Sequence, residues 1–232
     1  MVKRGQKAST GKPAKRSPVS GTVRVNRAPV LTLWGAVVAE RLGHDPETAL
    51  TLGKAVAGLN ALAKGRRLGL YSETPEEDKQ RRARARAKAG VTWVELMGRR
   101  LPVARARGGL RAVRGHTPEN PAAVERYLES KLGASLPAVR AAMKALAKST
   151  PKRELAERAF TLYEKFRPRI PSGERGWGAK GDLDIARVRA LARKRSPARA
   201  RRRGPSAERP PAPRVARDRT PGQLGGRATS LR

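Results

Sequence analysis

The sequence has no cysteine, few histidines and few aromatic residues. Its 232 residues include no Cys, two His, two Phe, three Tyr and three Trp. Without cysteine, the chain forms no disulfide and offers no thiolate as a nucleophile or metal ligand. His44 and His116 have no second His and no paired carboxylate at ligand spacing. We therefore expect no metal site and no cofactor.

Motifs of the common enzyme classes are also missing. The patterns GxSxG, HExxH and GxGxxG do not occur, so we expect no catalytic residue and no enzymatic activity. A glycine-rich loop at 173–181 precedes a predicted helix, but it lacks the GxxxxGK[ST] order of a phosphate-binding loop. We interpret it as a structural loop around Trp177.

Long apolar segments are absent as well. No run approaches the roughly 18 apolar residues that a membrane-spanning helix needs. The first 21 residues are basic without a following apolar segment, so we expect no secretory signal, although an organellar transit peptide has a similar composition. The sequence predicts a cytoplasmic protein without membrane contact, associated with the nucleoid if it binds DNA. It indicates no oligomeric state.

Acidic residues are scarce, and their distribution is uneven. The chain has 53 Lys and Arg against 19 Asp and Glu, a formal charge of +34. Residues 28–78 hold five basic and seven acidic residues, whereas residues 79–114 hold twelve basic residues and one acid. Cationic stretches attract polyanions and release their counterions. Arg outnumbers Lys 38 to 15, so GC-rich coding is an alternative source of part of this charge.

Periodicity and composition predict a mostly α fold. We expect a compact multi-helix core with a small antiparallel β-hairpin or three-stranded element, flanked by disordered basic tails. The predicted segments are a disordered basic arm at 1–27, a helical domain at 28–194 and a disordered Arg/Pro-rich tail at 195–232. Within the domain we expect a helical hairpin at 28–68, a basic helix at 74–90, a β-element at 91–113 and helices at 117–194.

The helical hairpin has the clearest local signals. Pro29 suits a first helical turn, Gly43 suits a helix end, and Asp45 precedes Pro46 as an N-cap precedes a first-turn proline. Gly65 is the expected end of the second helix, and Asp182 the expected N-cap of the last one. Residues 37–56 also resemble a helix-turn-helix, but the second helix offers no Arg at its start to read a base.

The basic helix gives the main functional indication. After Lys79 its body contains alanine as the only apolar residue, so it has no face to bury. Arg binds phosphate oxygens through a bidentate fork. The predicted nucleic-acid-binding residues are Arg81, Arg82, Arg84, Arg86, Lys88, Arg99, Arg100, Arg201, Arg202 and Arg203.

These residues favour a nucleic-acid-binding protein that contacts the phosphate backbone of DNA or RNA with little sequence selectivity. The few aromatic residues indicate a poor supply of stacking platforms for single strands. The alternative is a helical protein–protein interaction or assembly module without catalytic activity. Its cationic surface would recruit acidic proteins, and an exposed stripe of Gly53, Ala57 and Ala61 would favour it.

Overall fold

A computed structural model describes residues 21–72, 74–88, 90–115, 117–174 and 178–194. These residues form seven α-helices and two small antiparallel sheets. The prediction of a mostly α fold with a small antiparallel β-element is confirmed. Most of the predicted tails, including Arg201, Arg202 and Arg203, lies outside the described residues.

The helices follow the chain in this order: α1 Arg27–Leu42, α2 Pro46–Arg67, α3 Glu76–Lys88, α4 Pro121–Leu132, α5 Leu136–Ser149, α6 Lys152–Phe166 and α7 Ile185–Lys194. The strands are β1 Thr22–Val25, β2 Thr92–Leu96, β3 Arg99–Ala106, β4 Gly109–Arg114, β5 Thr117–Pro118 and β6 Gly181–Asp184. One sheet pairs β1 with β6, and the other has the order β2-β3-β4-β5. In the part of the chain described, no helix has both the length and the apolar content to cross a membrane.

Helix α1 is the centre of the core. Its residues from Pro29 to Ala39 are all buried, and α2, α4, α5 and α6 pack around it. Trp34 is fully buried, and its indole N–H donates to the Ala159 carbonyl oxygen at 2.8 Å. Trp and other aromatic side chains contribute large buried areas, and a buried indole N–H needs a partner such as this one.

The predicted helix boundaries of the hairpin are largely correct. Gly43 takes a left-handed conformation after α1, and the Asp45 carboxylate accepts the Thr48 backbone N–H at 2.9 Å to cap α2. The predicted end at Gly65 is wrong, since α2 continues to Arg67 and buries Gly65. Of the predicted small-residue stripe, Gly53 and Ala57 are also buried and Ala61 is half-buried. The structure therefore lacks, in its described part, the exposed small-residue stripe on α2 that would favour an assembly module.

The start of the folded chain differs from the prediction. Residues 22–25 form β1, which pairs antiparallel with β6, so the expected disordered arm at 1–27 is wrong for its last residues. Asp182 lies in β6 and does not cap the last helix. The Asp184 carboxylate instead accepts the Arg187 N–H at 3.0 Å. A strand of four residues is a weak local signal, and its partner lies at the other end of the chain.

The second sheet confirms the predicted β-element and extends it. Strands β2, β3 and β4 form a meander at 92–114, and Thr117–Pro118 adds a short fourth strand where we expected the entry to a helix. Helix α4 begins later, with the Asn120 side chain accepting the Ala122 N–H at 2.9 Å. In the β2–β3 register, Trp93 lies opposite Pro102, so Arg100 is its diagonal neighbour on the same face.

Candidate nucleic-acid interface

Helix α3 is the basic helix that the sequence predicts at 74–90. Its first turn holds Glu76, Glu77 and Asp78, where carboxylates interact favourably with the positive end of the helix dipole. None of its side chains is buried. The absence of an apolar stripe thus leads to a helix that lies on the surface, as expected for its alanine and arginine body.

One side of α3 faces the second sheet across a cavity of about 650 Å³. The Arg86 Nε–H donates to the Gly115 carbonyl oxygen at 3.3 Å, which connects the helix to the end of β4. We call this cavity the Trp93 groove. Its basic lining residues are Lys54, Arg82, Arg86, Arg100 and Arg114, and its aromatic lining residues are Tyr71 and Trp93.

Two guanidinium groups lie near the Trp93 ring. The guanidinium carbons of Arg86 and Arg100 are 5.9 Å and 5.5 Å from the centre of its ring system. Such distances allow a cation–π attraction. Trp93 stands on the edge strand β2 and remains 48% exposed. An aromatic surface is therefore available to a ligand in the middle of a positive field.

The electrostatic balance of the groove is strongly positive. Among the described residues that line it, Glu119 is the one acidic side chain against five basic ones. Burial lowers the pKa of Lys54; the Glu119 charge opposes this shift and the Arg114 charge adds to it. The Lys54 ammonium lies 3.6 Å from the centre of the Tyr127 ring. A phosphate oxygen in the groove would stabilise the protonated lysine.

The structure brings together part of the predicted site. Arg82, Arg86 and Arg100 all line the Trp93 groove. Arg84 and Lys88 are exposed on α3 and are not among the lining residues. Arg81 forms an ion pair with Asp78 at 2.7 Å on the same helix.

The other predicted binding residues, Arg99 and the three arginines at 201–203, are not part of the Trp93 groove as described. Arg99 precedes Arg100 directly, but it lines a different cavity and stacks 5.9 Å from the Phe160 ring centre. Arg201, Arg202 and Arg203 lie outside the described residues. Of the two predicted arginines after the β2–β3 turn, Arg100 therefore lies in the groove together with residues of α3, and Arg99 does not.

Sequence reasoning missed Lys54, Arg114 and Trp93. Lys54 and Arg114 belong to α2 and β4, which meet the groove only through tertiary packing. The exposure of Trp93 could have been predicted from the sequence. In the alternating run Trp93–Leu96, Trp93 and Glu95 share one face of the strand, and an acid at one of these positions marks that face as solvent-exposed.

The beginning of α2 does not support the helix-turn-helix interpretation. Thr48 and Thr51, which would lie at the start of a recognition helix, are buried. The Thr48 hydroxyl donates to the Leu110 carbonyl oxygen at 2.5 Å, and the Thr51 hydroxyl accepts the Ala112 N–H at 3.1 Å. Both side chains bind β4 instead of facing outward toward a DNA groove.

Within the described ranges, no cluster of three or more His, Cys, Asp or Glu residues could hold a metal ion. His116 and Trp177 lie outside those ranges. Comparisons with protein-family models, with curated proteins and with solved structures found no match. The functional assignment therefore depends on the geometry of the Trp93 groove.

Proposed function

We propose that this protein binds nucleic acid through the phosphate backbone, with little sequence selectivity, and that the strand lies in the Trp93 groove. The observation that carries the proposal is the convergence of five basic side chains from α2, α3 and the second sheet around a half-exposed tryptophan. A positive groove with an aromatic platform is the usual arrangement for binding single strands.

Each part of the groove has a role in this proposal. Arg82, Arg86, Arg100 and Arg114 bind phosphate oxygens through charge-assisted hydrogen bonds. Trp93 offers its ring to a base, and stacking accepts every base because each has a π-face. Phosphate contacts position the strand without reading its sequence. Single-stranded DNA or RNA is thus the favoured ligand of the groove itself.

The rest of α3 extends the positive surface. Arg84 and Lys88 are exposed beside the groove and have no carboxylate partner among the described residues. The proposal also includes the arginines at 201–203 as flanking contacts, because a basic arm adds affinity without adding selectivity. Acidic proteins are the alternative ligand of this surface, but they supply no base for Trp93.

The test compares two triple variants with equal loss of charge. Arg82→Gln, Arg86→Gln and Arg100→Gln remove groove contacts, whereas Arg126→Gln, Arg153→Gln and Arg158→Gln remove exposed charges on α4 and α6. Fluorescence anisotropy with two single-stranded oligonucleotides of unrelated sequence, at several salt concentrations, measures the affinity. We expect the groove variant to lose about tenfold or more on both sequences, with the salt slope falling by about 0.7 per lost contact.

The control variant should retain most of the wild-type affinity. Equal loss in the two variants would mean that total charge, and not the groove, controls binding. Polyglutamate serves as the acidic-protein probe in the same assay. Tighter binding of polyglutamate than of an oligonucleotide of equal charge would favour the protein-binding alternative.

A further inference from the structure

A second cavity lies on the other face of α2. The side chains of Ala57, Asn60, Lys64 and Arg67 follow the helical repeat on one face of α2 and line this cavity, whereas Lys54, Gly58 and Leu62 on the opposite face line the Trp93 groove. The second cavity has a volume of about 590 Å³. We call it the Arg99 cavity.

The Arg99 cavity combines a positive wall with an apolar floor. Its basic lining residues are Arg27, Lys64, Arg67, Arg99, Lys131 and Arg167. Its floor includes the buried Leu31, Ala57 and Tyr163. These side chains come from α1, α2, α4, α6 and strand β3, and from Arg167, which directly follows α6. Convergence of several elements on one concave site is typical of a small-ligand pocket.

Cations outnumber carboxylates in the lining of this cavity. Glu164 is the one acidic side chain among its described lining residues, and it pairs with Arg167 at 3.5 Å. Arg67, Arg99 and Lys131 form no ion pair with any described carboxylate. By contrast, the half-buried Arg140 pairs with Glu125 at 2.6 Å. An anionic ligand would relieve this repulsion.

The polar groups of the cavity further define the ligand. The Tyr163 hydroxyl donates to the Arg27 carbonyl oxygen at 3.2 Å, so its proton is already engaged. The Asn60 amide makes no hydrogen bond to any described residue and is free to bind a polar ligand group. Phe160, with Arg99 beside it, and Tyr127, which has the Lys54 ammonium 3.6 Å from its ring centre, are the other aromatic lining residues. The site therefore suits several phosphate groups next to a planar apolar part.

We propose that the Arg99 cavity binds a small polyphosphate of the nucleoside-triphosphate class, separately from the nucleic acid in the Trp93 groove. The cations bind the phosphate oxygens, and the aromatic surfaces contact the base. A volume of about 590 Å³ lies in the range of about 300–1,000 Å³ that such ligand sites have. This proposal does not depend on the proposed function, because the basic residues that line the two cavities are different.

The experiment titrates the full chain with ATP, inorganic triphosphate and adenosine by calorimetry at about 150 mM salt, where loose surface attraction is screened. We expect one ATP per chain, weaker binding of triphosphate and the weakest binding of adenosine. The double variant Arg67→Gln, Arg99→Gln should lose about tenfold or more of the ATP affinity. The charge-matched variant Arg82→Gln, Arg100→Gln should stay within about twofold, because both of its residues line the Trp93 groove and Arg100 points to the strand face opposite Arg99.

A third variant separates the cavity from the effect of charge. Asn60→Phe fills the space and keeps every cation, so it should weaken ATP binding while circular dichroism and oligonucleotide affinity remain unchanged. Several ATP molecules per chain, or equal loss in the two double variants, would overturn the proposal. If the two double variants lost oligonucleotide affinity equally, the nucleic acid would also contact the Arg99 cavity. That result would overturn the proposal as well. If the protein bound ATP but no oligonucleotide, the proposed function of the Trp93 groove would be wrong and the Arg99 cavity proposal would stand.

Discussion

Gly35 of α1 and Gly53 of α2 bring the two helix backbones into direct contact. A Cβ atom on Gly35 would lie 2.9 Å from the Gly53 Cα, and a Cβ atom on Gly53 would lie 2.6 Å from the Ala36 backbone nitrogen. No side chain fits at either position without moving a helix. Gly53, the first residue of the predicted small-residue stripe, thus allows the close approach of α1, and this approach places α2 between the two cavities.

Gly53→Ala should therefore destabilise the protein. Because the added methyl group would meet backbone atoms, we expect the free energy of unfolding to fall by about 3 kcal/mol, the upper part of the usual range for overpacking. Gly58→Ala on the same helix is the control. Nothing lies within 4 Å of its added Cβ, so higher helix propensity should give about 0.5–1 kcal/mol of stability. Urea denaturation measures the free energy of unfolding of both variants. Similar changes in the two would contradict the backbone contact between Gly53 and α1.

Arg111 should be a stability residue although it lies in the most basic part of the sequence. Its side chain is 4% exposed, pairs with Glu47, and donates to the Gly108 and Leu110 carbonyl oxygens at 3.2 Å and 2.9 Å. Arg111→Ala removes the Glu47 ion pair and the bond to the Gly108 oxygen, whereas the Leu110 oxygen keeps the Thr48 hydroxyl as a donor. We therefore expect a loss of about 2–4 kcal/mol in the free energy of unfolding.

Arg107→Ala provides the comparison for Arg111→Ala. Arg107 is exposed on the turn between β3 and β4 and carries the same charge. Thermal unfolding should show a change within about 0.5 kcal/mol for this variant. If Arg111→Ala lowered oligonucleotide affinity in a fully folded protein while leaving stability unchanged, Arg111 would be a ligand contact instead.

Asp45 should make stability depend on acid pH. Burial acts to raise the pKa of Asp45, but hydrogen bonds from Thr48 and the charge of Arg111 outweigh it and hold this pKa below the usual 3.8. A carboxylate with a lowered folded-state pKa contributes stability above its unfolded pKa, and this contribution disappears as the pH falls through the folded pKa.

Asp45→Asn keeps a good N-cap but does not titrate. The variant should therefore be less stable than wild type at pH 7, and the difference should shrink as the pH falls below about 4. Urea midpoints of both proteins at pH 7 and at about pH 3 measure this convergence. A difference that stays constant between the two pH values would show that Asp45 acts only through its cap hydrogen bond.

The correctly predicted parts of the fold have local causes. Gly43, Asp45 and Pro46 fix the α1–α2 boundary through caps that involve only neighbouring residues. Strand β1 depends on a partner more than 150 residues away, where Val25 lies opposite Gly181. No pattern within four residues specifies such a pairing.

The candidate site divides in the same way. Arg82 and Arg86 share one side of a helix whose composition already indicates exposure, so sequence alone identifies them. The sequence predicts Arg99 and Arg100 as parts of one binding surface. Neighbouring residues of a strand point to opposite faces, however, and the two arginines line different cavities. Lys54 joins the site only because the contact between α1 and α2 sets the position of the second helix.

Trp93 should distinguish single-stranded from duplex ligands. If a base stacks on its exposed ring, Trp93→Ala loses about 1–3 kcal/mol of binding free energy to a single-stranded oligonucleotide, a factor of about 5–150. The same change should have little effect on a duplex, whose bases are already stacked, while Trp93→Phe should retain most of the affinity. Anisotropy titrations with both ligands measure these affinities. The emission of Trp93, obtained as the difference between wild type and Trp93→Phe, should be quenched by the single strand. Equal losses on single strand and duplex would show that Trp93 only holds Arg86 and Arg100 in place.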